Sequence, residues 1–177
     1  ISSLPTHGRV ASGISRTFQN IRLFKDLSVW QNIWVALQQD SDQSSGWMRE
    51  WFGNSKLQKE KIKEILVFSG LGDRFNDLAG NLSFGEQRRL ELARAIASKP
   101  KLILLDEPAA GMNSDEVADL RQRILDLKKL GLTVLLVEHV MELVMNVVDR
   151  IVVLNFGKKI AEGSPDSIHN NDDVQKA

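Results

Sequence analysis

The chain has 177 residues, of which 42% are hydrophobic and 26% are charged, with 23 basic and 23 acidic side chains and no cysteine. This length allows one domain with a buried core. Zero net charge argues against a broad nucleic-acid or anionic-membrane interface, which would need clustered Lys and Arg. Disulfides and thiolate metal sites are excluded. No apolar run approaches the roughly 20 residues that span a bilayer, and no signal-peptide pattern precedes the first predicted elements. Any membrane association must therefore go through a partner.

The first half of the chain, from Ile21 to about Ile96, is predicted to be mainly helical. The segment from Lys56 to Phe68 has an apolar stripe at helical spacing and ends before Gly70, which indicates a helix that packs against others. The stripe consists of Leu57, Ile62, Ile65 and Leu66.

All four tryptophans fall between Trp30 and Trp51. Trp30, Ile33 and Trp34 recur at helical spacing, which favours a place in the core. Trp47 and Trp51 lie in a predicted loop among Ser, Gly and Arg residues. Aromatic side chains there would suit docking of an apolar helix from a partner. The alternative is that this pair is also buried in the core.

A second predicted helix begins in the segment Leu82-Ser83-Phe84-Gly85-Glu86-Gln87-Arg88-Arg89 and continues to Ser98. Its local pattern is that of a capping box, with Ser83 as N-cap and Glu86 three residues later. The free N–H groups of a helix N-terminus also bind anions. Ser83 and Gly85 would bring a hydroxyl and bare backbone close to phosphate oxygens.

The run Lys101-Leu102-Ile103-Leu104-Leu105 leads directly into Asp106 and Glu107. Continuous aliphatic residues predict a strand buried on both faces, and ligands in open α/β sheets bind beyond the carboxyl ends of strands. Asp106 can hold Mg²⁺ directly or through a water. Glu107 can accept a proton from, or orient, the water that attacks a γ-phosphate. The alternative is a core strand that ends in solvated acids.

The remaining elements alternate between helix and strand, which predicts a parallel-sheet core. Asp115 to Leu130 is a predicted helix with Ser114 as candidate N-cap. Leu132 to Val137 is a predicted second buried strand, followed by Glu138 and His139. Ile151 to Leu154 and Lys158 to Ala161 flank Asn155-Phe156-Gly157 and predict a hairpin, whereas the tail after Asn170 is predicted to be loose.

In this order, the segments resemble those of ATP-binding cassette (ABC) ATPases. The segment from Leu82 to Glu86 resembles the LSGGQ signature, and the strand before Asp106 resembles the Walker B strand. Residues Ala109-Ala110-Gly111-Met112-Asn113-Ser114 occupy the D-loop position, with Asn113 in place of the usual Asp. Phe84 and Glu86 also depart from the signature consensus, and we interpret these departures as subfamily variation.

Two single residues complete the series. Gln19, in Ser15-Arg16-Thr17-Phe18-Gln19-Asn20, resembles the Q-loop glutamine, which can reach Mg²⁺ or the attacking water. His139 resembles the switch histidine that contacts the γ-phosphate. The resemblance thus implies Glu107 and His139 as catalytic residues, and Asp106 and Gln19 as Mg²⁺ ligands. The residues that it implies for ATP binding are Gln19, Ser83, Gly85, Glu86, Asp106 and Asn113.

The resemblance implies an α/β fold of the P-loop NTPase type, in which a parallel-sheet core carries a helical subdomain. Residues 1–20 would end an N-terminal core that includes the Q-loop. Residues 21–97 would form the helical subdomain with the signature. Residues 98–177 would form the catalytic core with Walker B, D-loop, switch histidine and C-terminal hairpin.

Within this family, the segments Arg16 to Phe24, Gly85 to Arg94 and Ala109 to Asn113 look most like ATPase subunits of branched-chain amino acid importers. Membership implies MgATP hydrolysis at the cytoplasmic face of the cell membrane. The implied partners are a second ATPase subunit, in a homo- or heterodimer, and membrane permease subunits. A substrate-binding protein would act indirectly, and no nucleic acid is expected.

No G-x-x-x-x-G-K-[ST] phosphate loop occurs in the 177 residues. We therefore expect an N-terminally truncated stretch of a longer protein, which alone would bind ATP poorly because the loop's amides and lysine are missing. One alternative is a non-hydrolytic cassette fragment that only packs or offers a signature surface to another cassette. Another is a non-transport ABC ATPase of translation or DNA repair, although such proteins usually have tandem cassettes or coiled-coil insertions.

Overall fold

The computed structural model describes residues 3–37 and 55–176. Residues 1–138 and 139–177 form two compact units. The predictions made for Trp47 and Trp51 lie outside the described residues. No helix among the described residues is both long enough and apolar enough to cross a membrane.

The first unit contains a parallel sheet with strand order β1-β2-β3. The strands are β1 (Ile14–Arg16), β2 (Leu102–Asp106) and β3 (Thr133–Val137). Helices connect and flank them: α1 (Thr6–Ala11), α2 (Val29–Leu37), α3 (Ser55–Phe68), α4 (Phe84–Ala97) and α5 (Ser114–Lys129). Short 3₁₀ turns occupy Gly72–Arg74 and Ala79–Asn81. The predicted α/β organisation with parallel strands is therefore observed.

The predicted burial of the strands on both faces is wrong. Side chains alternate between the two faces of a sheet, and only the face that carries Ile103 and Leu105 is fully buried in β2. On the opposite face, Leu135 and Val137 of β3 are 50% and 52% exposed. Within the described part of the chain β3 has β2 as its only strand neighbour, and its alternate aliphatic side chains stay accessible.

A hydrophobic cluster joins α2, α3 and α4. Its central members are fully or almost fully buried: Val29, Ile33, Ile62, Leu66 and Leu90. Trp30 and Trp34 pack against this cluster, and Trp30 stacks on Phe75 with ring centroids 6.0 Å apart. The core interpretation is confirmed for Ile33, whereas Trp30 and Trp34 are partly buried at the margin of the core. Leu57, which was expected in the packing stripe, is 46% exposed near the start of α3. The domain boundaries after residues 20 and 97 stay predictions.

Two helices of the first unit begin with a capping box. At α4 the predicted pair forms, with Ser83 as N-cap and Glu86 at the third helical position. At α5 the N-cap is Asn113 rather than the predicted Ser114. Asn113 is spaced three residues before Glu116, so each side chain can accept the other residue's backbone N–H, whereas Ser114 is three residues before the apolar Val117.

The second unit contains α6 (Met141–Val147) and the antiparallel strands β4 (Ile151–Asn155) and β5 (Lys158–Gly163). The hairpin was predicted, and its turn uses Phe156 and Gly157 at φ +47° and +76°, the left-handed conformation that two-residue hairpin loops need. Helices α7 (Pro165–His169) and α8 (Asp172–Lys176) follow. The prediction of a loose tail is wrong, because the Asn171 side chain accepts the N–H groups of Asp173 and Val174 and starts α8.

Candidate functional site

The two adjacent carboxylates lie where β2 ends. The Glu107 N–H donates to the Val137 carbonyl at 2.9 Å, which extends the pairing of β2 with β3 by one residue. Glu107 itself has φ +46°, a left-handed conformation that non-glycine residues seldom adopt. Such backbone strain is concentrated at functional sites, where the surrounding structure holds it in place.

Gln19 meets Glu107 at this end of the sheet. The Gln19 side-chain amide donates from Nε2 to Glu107 Oε2 at 2.7 Å, across 88 residues of sequence. Strand pairing explains the encounter: Arg16 is in register with Leu104, and the Thr17 N–H donates to the Leu104 carbonyl at 2.9 Å. The chain that leaves β1 therefore runs beside the end of β2. We call the residues Gln19, Asp106 and Glu107 the sheet edge.

Asp106 is held by the chain of β1. Arg16 Nη2 donates to Asp106 Oδ2 at 2.7 Å, and both side chains are partly exposed. The hydroxyl of Thr17 accepts the Asp106 N–H at 3.4 Å. A cation at Asp106 would have to displace Arg16 from Oδ2 or use the other carboxylate oxygen.

The oxygen donors of the sheet edge fit Mg²⁺. They comprise the carboxylates of Asp106 and Glu107 and the amide of Gln19. In residues 3–37 and 55–176, no group of three or more His, Cys, Asp and Glu side chains forms a cage for a metal ion. Mg²⁺ does not require such a cage, because it is normally bound by one or two carboxylates with phosphates and water as further ligands.

The start of α4 holds the three predicted signature residues. The Glu86 N–H donates to Ser83 Oγ at 3.3 Å, and the Ser83 N–H donates to Glu86 Oε2 at 2.9 Å. Arg74 Nε donates to the other oxygen, Oε1, at 3.0 Å. The Ser83 backbone N–H, together with its hydroxyl and the Arg74 guanidinium, lowers the pKa of Glu86 below its usual 4.5. Glu86 is therefore a carboxylate at neutral pH with both oxygens engaged.

Gly85 is buried against the start of α5. A Cβ atom at Gly85 would overlap Glu116 Oε1, so the Glu116 side chain would have to shift. Glu116 cannot withdraw freely, because its Oε2 accepts the Asn113 N–H at 3.0 Å. The neighbouring Phe84 is 47% exposed and packs close to Gly111 in the loop before α5. The two helix starts are thus in contact.

The remaining predicted site residues have other surroundings. The Asn113 side chain accepts the Glu116 N–H at 3.0 Å as the cap of α5. His139 is the first residue of the second unit. The structure brings Gln19 together with Asp106 and Glu107, and it brings Gly85 against Glu116. The assignment of these residues to ATP, Mg²⁺ or catalysis stays a prediction.

Sequence reasoning missed three residues near the sheet edge. Glu138 Oε1 accepts the Ala109 N–H at 2.9 Å and so ties down the loop that follows Glu107. Arg88 and Glu91 form a buried ion pair on α4. The available signal for Glu138 was its place directly after a predicted strand. For Arg88 and Glu91 the available signal was the i, i+3 spacing of two opposite charges within a helix that packs against the core.

A cavity of about 230 Å³ lies between α4, α5 and β2. Its walls are mainly apolar, with Leu92, Leu105 and Leu120 among the lining residues, and charged side chains from both helices complete them. Neither Gln19 nor Glu107 lines it, so this cavity is separate from the sheet edge.

The central strand of the parallel sheet, β2, ends in two carboxylates, and Gln19 is hydrogen-bonded to one of them. Helix α4 begins with a capping box. Together these features define a nucleotide-binding cassette. Residues 3–110 match the model of the family described as ABC transporter, and the chain belongs to that family. It is 39% identical to the high-affinity branched-chain amino acid transport ATP-binding protein BraF of Pseudomonas aeruginosa, over 100% of the chain and 71% of that relative.

The chain is also similar to a second relative and to a solved structure. The lipopolysaccharide export system ATP-binding protein LptB of Haemophilus influenzae is 34% identical, over 99% of the chain and 69% of that relative. The crystal structure of MJ1267, an ATP-binding cassette of an ABC transporter, in its ADP conformation is 31% identical, with a TM-score of 0.77 over 96% of the chain and 69% of that structure. The predicted family and fold are confirmed.

Proposed function

We propose that this chain is the ATP-hydrolysing part of an ABC importer for branched-chain amino acids. The observation that carries the proposal is the hydrogen bond from Gln19 Nε2 to Glu107 Oε2, beyond the end of the central strand. It unites the two side chains that would handle the attacking water. In this assignment Glu107 is the base that accepts the water's proton. Gln19 orients the water and contacts Mg²⁺, and Asp106 is the second Mg²⁺ ligand.

The phosphates would be contacted from two further sides. Ser83 and Gly85 offer a hydroxyl and backbone N–H groups at the start of a 14-residue helix, where the helix dipole favours an anion. In the family this phosphate belongs to ATP held mainly by a second cassette. Glu86 and Asn113 would act there mainly through their caps, because their polar atoms are engaged in them. His139 would contact the γ-phosphate.

A cassette of this kind works with partners. We infer a pair of cassettes, identical or different, that bind two ATP molecules between them and drive membrane permease subunits from the cytoplasmic face. A substrate-binding protein would deliver the amino acid to the permease. The similarity to BraF, whose name states branched-chain amino acid transport, supports this substrate class.

ATP binding in this proposal needs a phosphate loop in addition to these residues. The 177 residues contain no G-x-x-x-x-G-K-[ST] sequence, and the amides and lysine of that loop supply much of the contact to the triphosphate. Residues 1–177 alone should therefore give no saturable MgATP binding in a calorimetric titration. A Kd at or below about 10 μM, equivalent to about −7 kcal/mol, would contradict this.

The substrate is tested by reconstitution of the intact protein with its permease partner, in vesicles that contain MgATP. We expect ATP-dependent accumulation of leucine, isoleucine or valine together with phosphate release. Phosphate release without amino acid uptake would overturn the substrate and leave the ATPase standing. In that case lipopolysaccharide is the next substrate to test, because the name of the relative LptB states lipopolysaccharide export. Absence of phosphate release would overturn the function itself.

A further inference from the structure

Two charged residues of α4 are buried together. Arg88 and Glu91 are each 7% exposed, and Arg88 Nη1 lies 3.3 Å from Glu91 Oε2. Burial raises the pKa of Glu91, an effect that the Phe18 N–H and the Arg88 guanidinium partly offset. Removing two charges from water costs free energy that an ion pair alone often does not recover. The pair therefore needs further polar partners.

Those partners are the backbone groups of the loop that carries Gln19. Arg88 Nη1 donates to the Phe18 carbonyl at 2.9 Å, and Arg88 Nη2 donates to the Gln19 carbonyl. The Phe18 N–H donates to Glu91 Oε1 at 3.4 Å. The planar guanidinium reaches two successive carbonyls at once, which a lysine ammonium cannot do with the same geometry. One helix face thus holds the loop through its N–H and both carbonyls.

The same loop ends in the side chain that contacts the candidate base. Gln19 is fixed at its carbonyl by Arg88 and at its side-chain amide by Glu107. Ser83, at the start of α4, lies five residues before Arg88, less than two helical turns away on a rigid helix. A shift of α4 would therefore move the Phe18 and Gln19 carbonyls with it. Both side chains of the ion pair are hydrogen-bonded to the loop, so they pass such a shift to it.

We propose that Arg88 and Glu91 are positioning residues, which couple the place of the signature helix α4 to the placement of the Gln19 amide on Glu107. This rests on the proposed function, in which Glu107 is the base. Occupation of the start of α4 by a phosphate would then be reported to the sheet edge through this pair. Neither side chain touches the reacting atoms; both act through Gln19.

The test is a double-mutant cycle on the intact, assembled protein, measured as steady-state and single-turnover phosphate release. Arg88→Lys keeps the charge and loses the two-carbonyl contact. We expect it to lower kcat about 10-fold, with KM for ATP changed less than about 2-fold, because the contact acts on the reaction geometry rather than on phosphate binding. In a Gln19→Ala background, the same Arg88→Lys change should alter kcat by less than about 2-fold, since residues that act through one another are not additive.

Arg89→Lys is the matched control. Arg89 is the next residue of α4, and its guanidinium lies 3.6 Å from Asp119 of α5. Its effect on kcat should be the same in both backgrounds. Equal losses from Arg88→Lys with and without the Gln19 amide would reduce Arg88 to a structural residue and overturn the proposal.

A second variant covers the case in which Arg88→Lys does not fold. Glu91→Gln keeps an acceptor for the Phe18 N–H and removes the charge that orients Arg88. Its loss of kcat should likewise shrink in the Gln19→Ala background, and an unchanged loss would again overturn the coupling. A wild-type assembly without ATP hydrolysis would instead refute the proposed function, so the two failures are distinguishable.

Discussion

The sheet edge and the two helix starts are built from different kinds of contact. At the sheet edge, Gln19 and Glu107 are joined across 88 residues. At the helix starts, Ser83 pairs with Glu86 and Asn113 with Glu116, each across three residues. Local contacts of the second kind form with the helix itself. Contacts of the first kind require the sheet to be in place, because the register of β1 with β2 brings the two residues together.

This difference separates stability from turnover. A capping side chain contributes about 1 kcal/mol to helix stability. A half-exposed hydrogen bond at the sheet edge contributes about 0.5–1.5 kcal/mol at most, yet it places groups that the reaction needs. We therefore expect substitutions at the sheet edge to change turnover more than stability, whereas substitutions that break a cap at the helix starts should also lower stability measurably.

The largest expected effect is that of Glu107→Gln. In the intact protein assembled with its permease, this change removes the carboxylate that takes the water's proton, so turnover should fall about 10²- to 10⁴-fold while ATP binding persists. The glutamine oxygen can still accept from Gln19 Nε2, so the unfolding midpoint should stay within a few degrees. Phosphate release and thermal unfolding measure the two quantities. Near-equal rates in wild type and mutant would refute Glu107 as the base.

His139→Ala tests whether His139, which is not part of the sheet edge, also contributes to turnover. If His139 contacts the γ-phosphate, turnover should fall about 10²-fold, as it does when a donor to developing charge is lost. Asn or Gln at this position is the control, because an amide can restore a hydrogen bond. Unaltered hydrolysis in His139→Ala would make this residue an ordinary polar side chain.

Gly85→Ala addresses the contact between the two helix starts. The added Cβ would overlap Glu116 Oε1, and the other carboxylate oxygen, Oε2, accepts the Asn113 N–H. We expect a loss of about 1–3 kcal/mol in unfolding free energy, measured by urea denaturation, as for other overpacked sites. Gly8→Ala, in α1, is the matched control, because the nearest atom that its Cβ would meet outside the backbone of α1 is Pro5 Cδ at 3.5 Å. The loss should largely disappear in a Glu116→Ala background, and its persistence there would contradict the overlap.

The helix starts were predictable because their determinants are adjacent in sequence. Ser83 and Glu86 have the spacing of a capping box, and the structure contains that box. The same rule applied at Asn113 and Glu116 would have given the correct start of α5. The prediction of Ser114 as N-cap used only the preference of serine for that position. It missed the reciprocal hydrogen bonds between Asn113 and Glu116.

The sheet edge was predictable only in part. The aliphatic run before Asp106 indicated a strand with carboxylates at its end, but Gln19 entered through the family resemblance and not through any local pattern. Its encounter with Glu107 depends on the register of β1 with β2, which no segment of the sequence specifies by itself. Arg88 and Glu91 were missed for the same reason, because their partners are backbone groups about 70 residues away. Burial of the strands was overpredicted because aliphatic residues need not all be covered.

The smallest effect is expected at Glu86, whose carboxylate has a local partner, Ser83, and a non-local partner, Arg74. Since the pKa of Glu86 is lowered in the folded protein, its ionised form contributes stability that is complete above about pH 4.5, its pKa when unfolded, and is lost as the pH falls through the lower folded value. Glu86→Gln should therefore reduce stability by less than about 1 kcal/mol at pH 7. That difference should shrink steadily below about pH 4.5.

The matched variant is Arg74→Gln, which removes the non-local partner and leaves the Ser83 N–H. Because the Ser83 N–H is the largest cause of the lowered pKa and Arg74 is half-exposed, Arg74→Gln should retain most of the pH dependence that Glu86→Gln abolishes. Urea denaturation of the three proteins between pH 3 and pH 7 measures this. If Arg74→Gln instead reproduced the full loss, the exposed ion pair across 12 residues would outweigh the local cap, and the division between local stability and non-local placement would fail at this helix start.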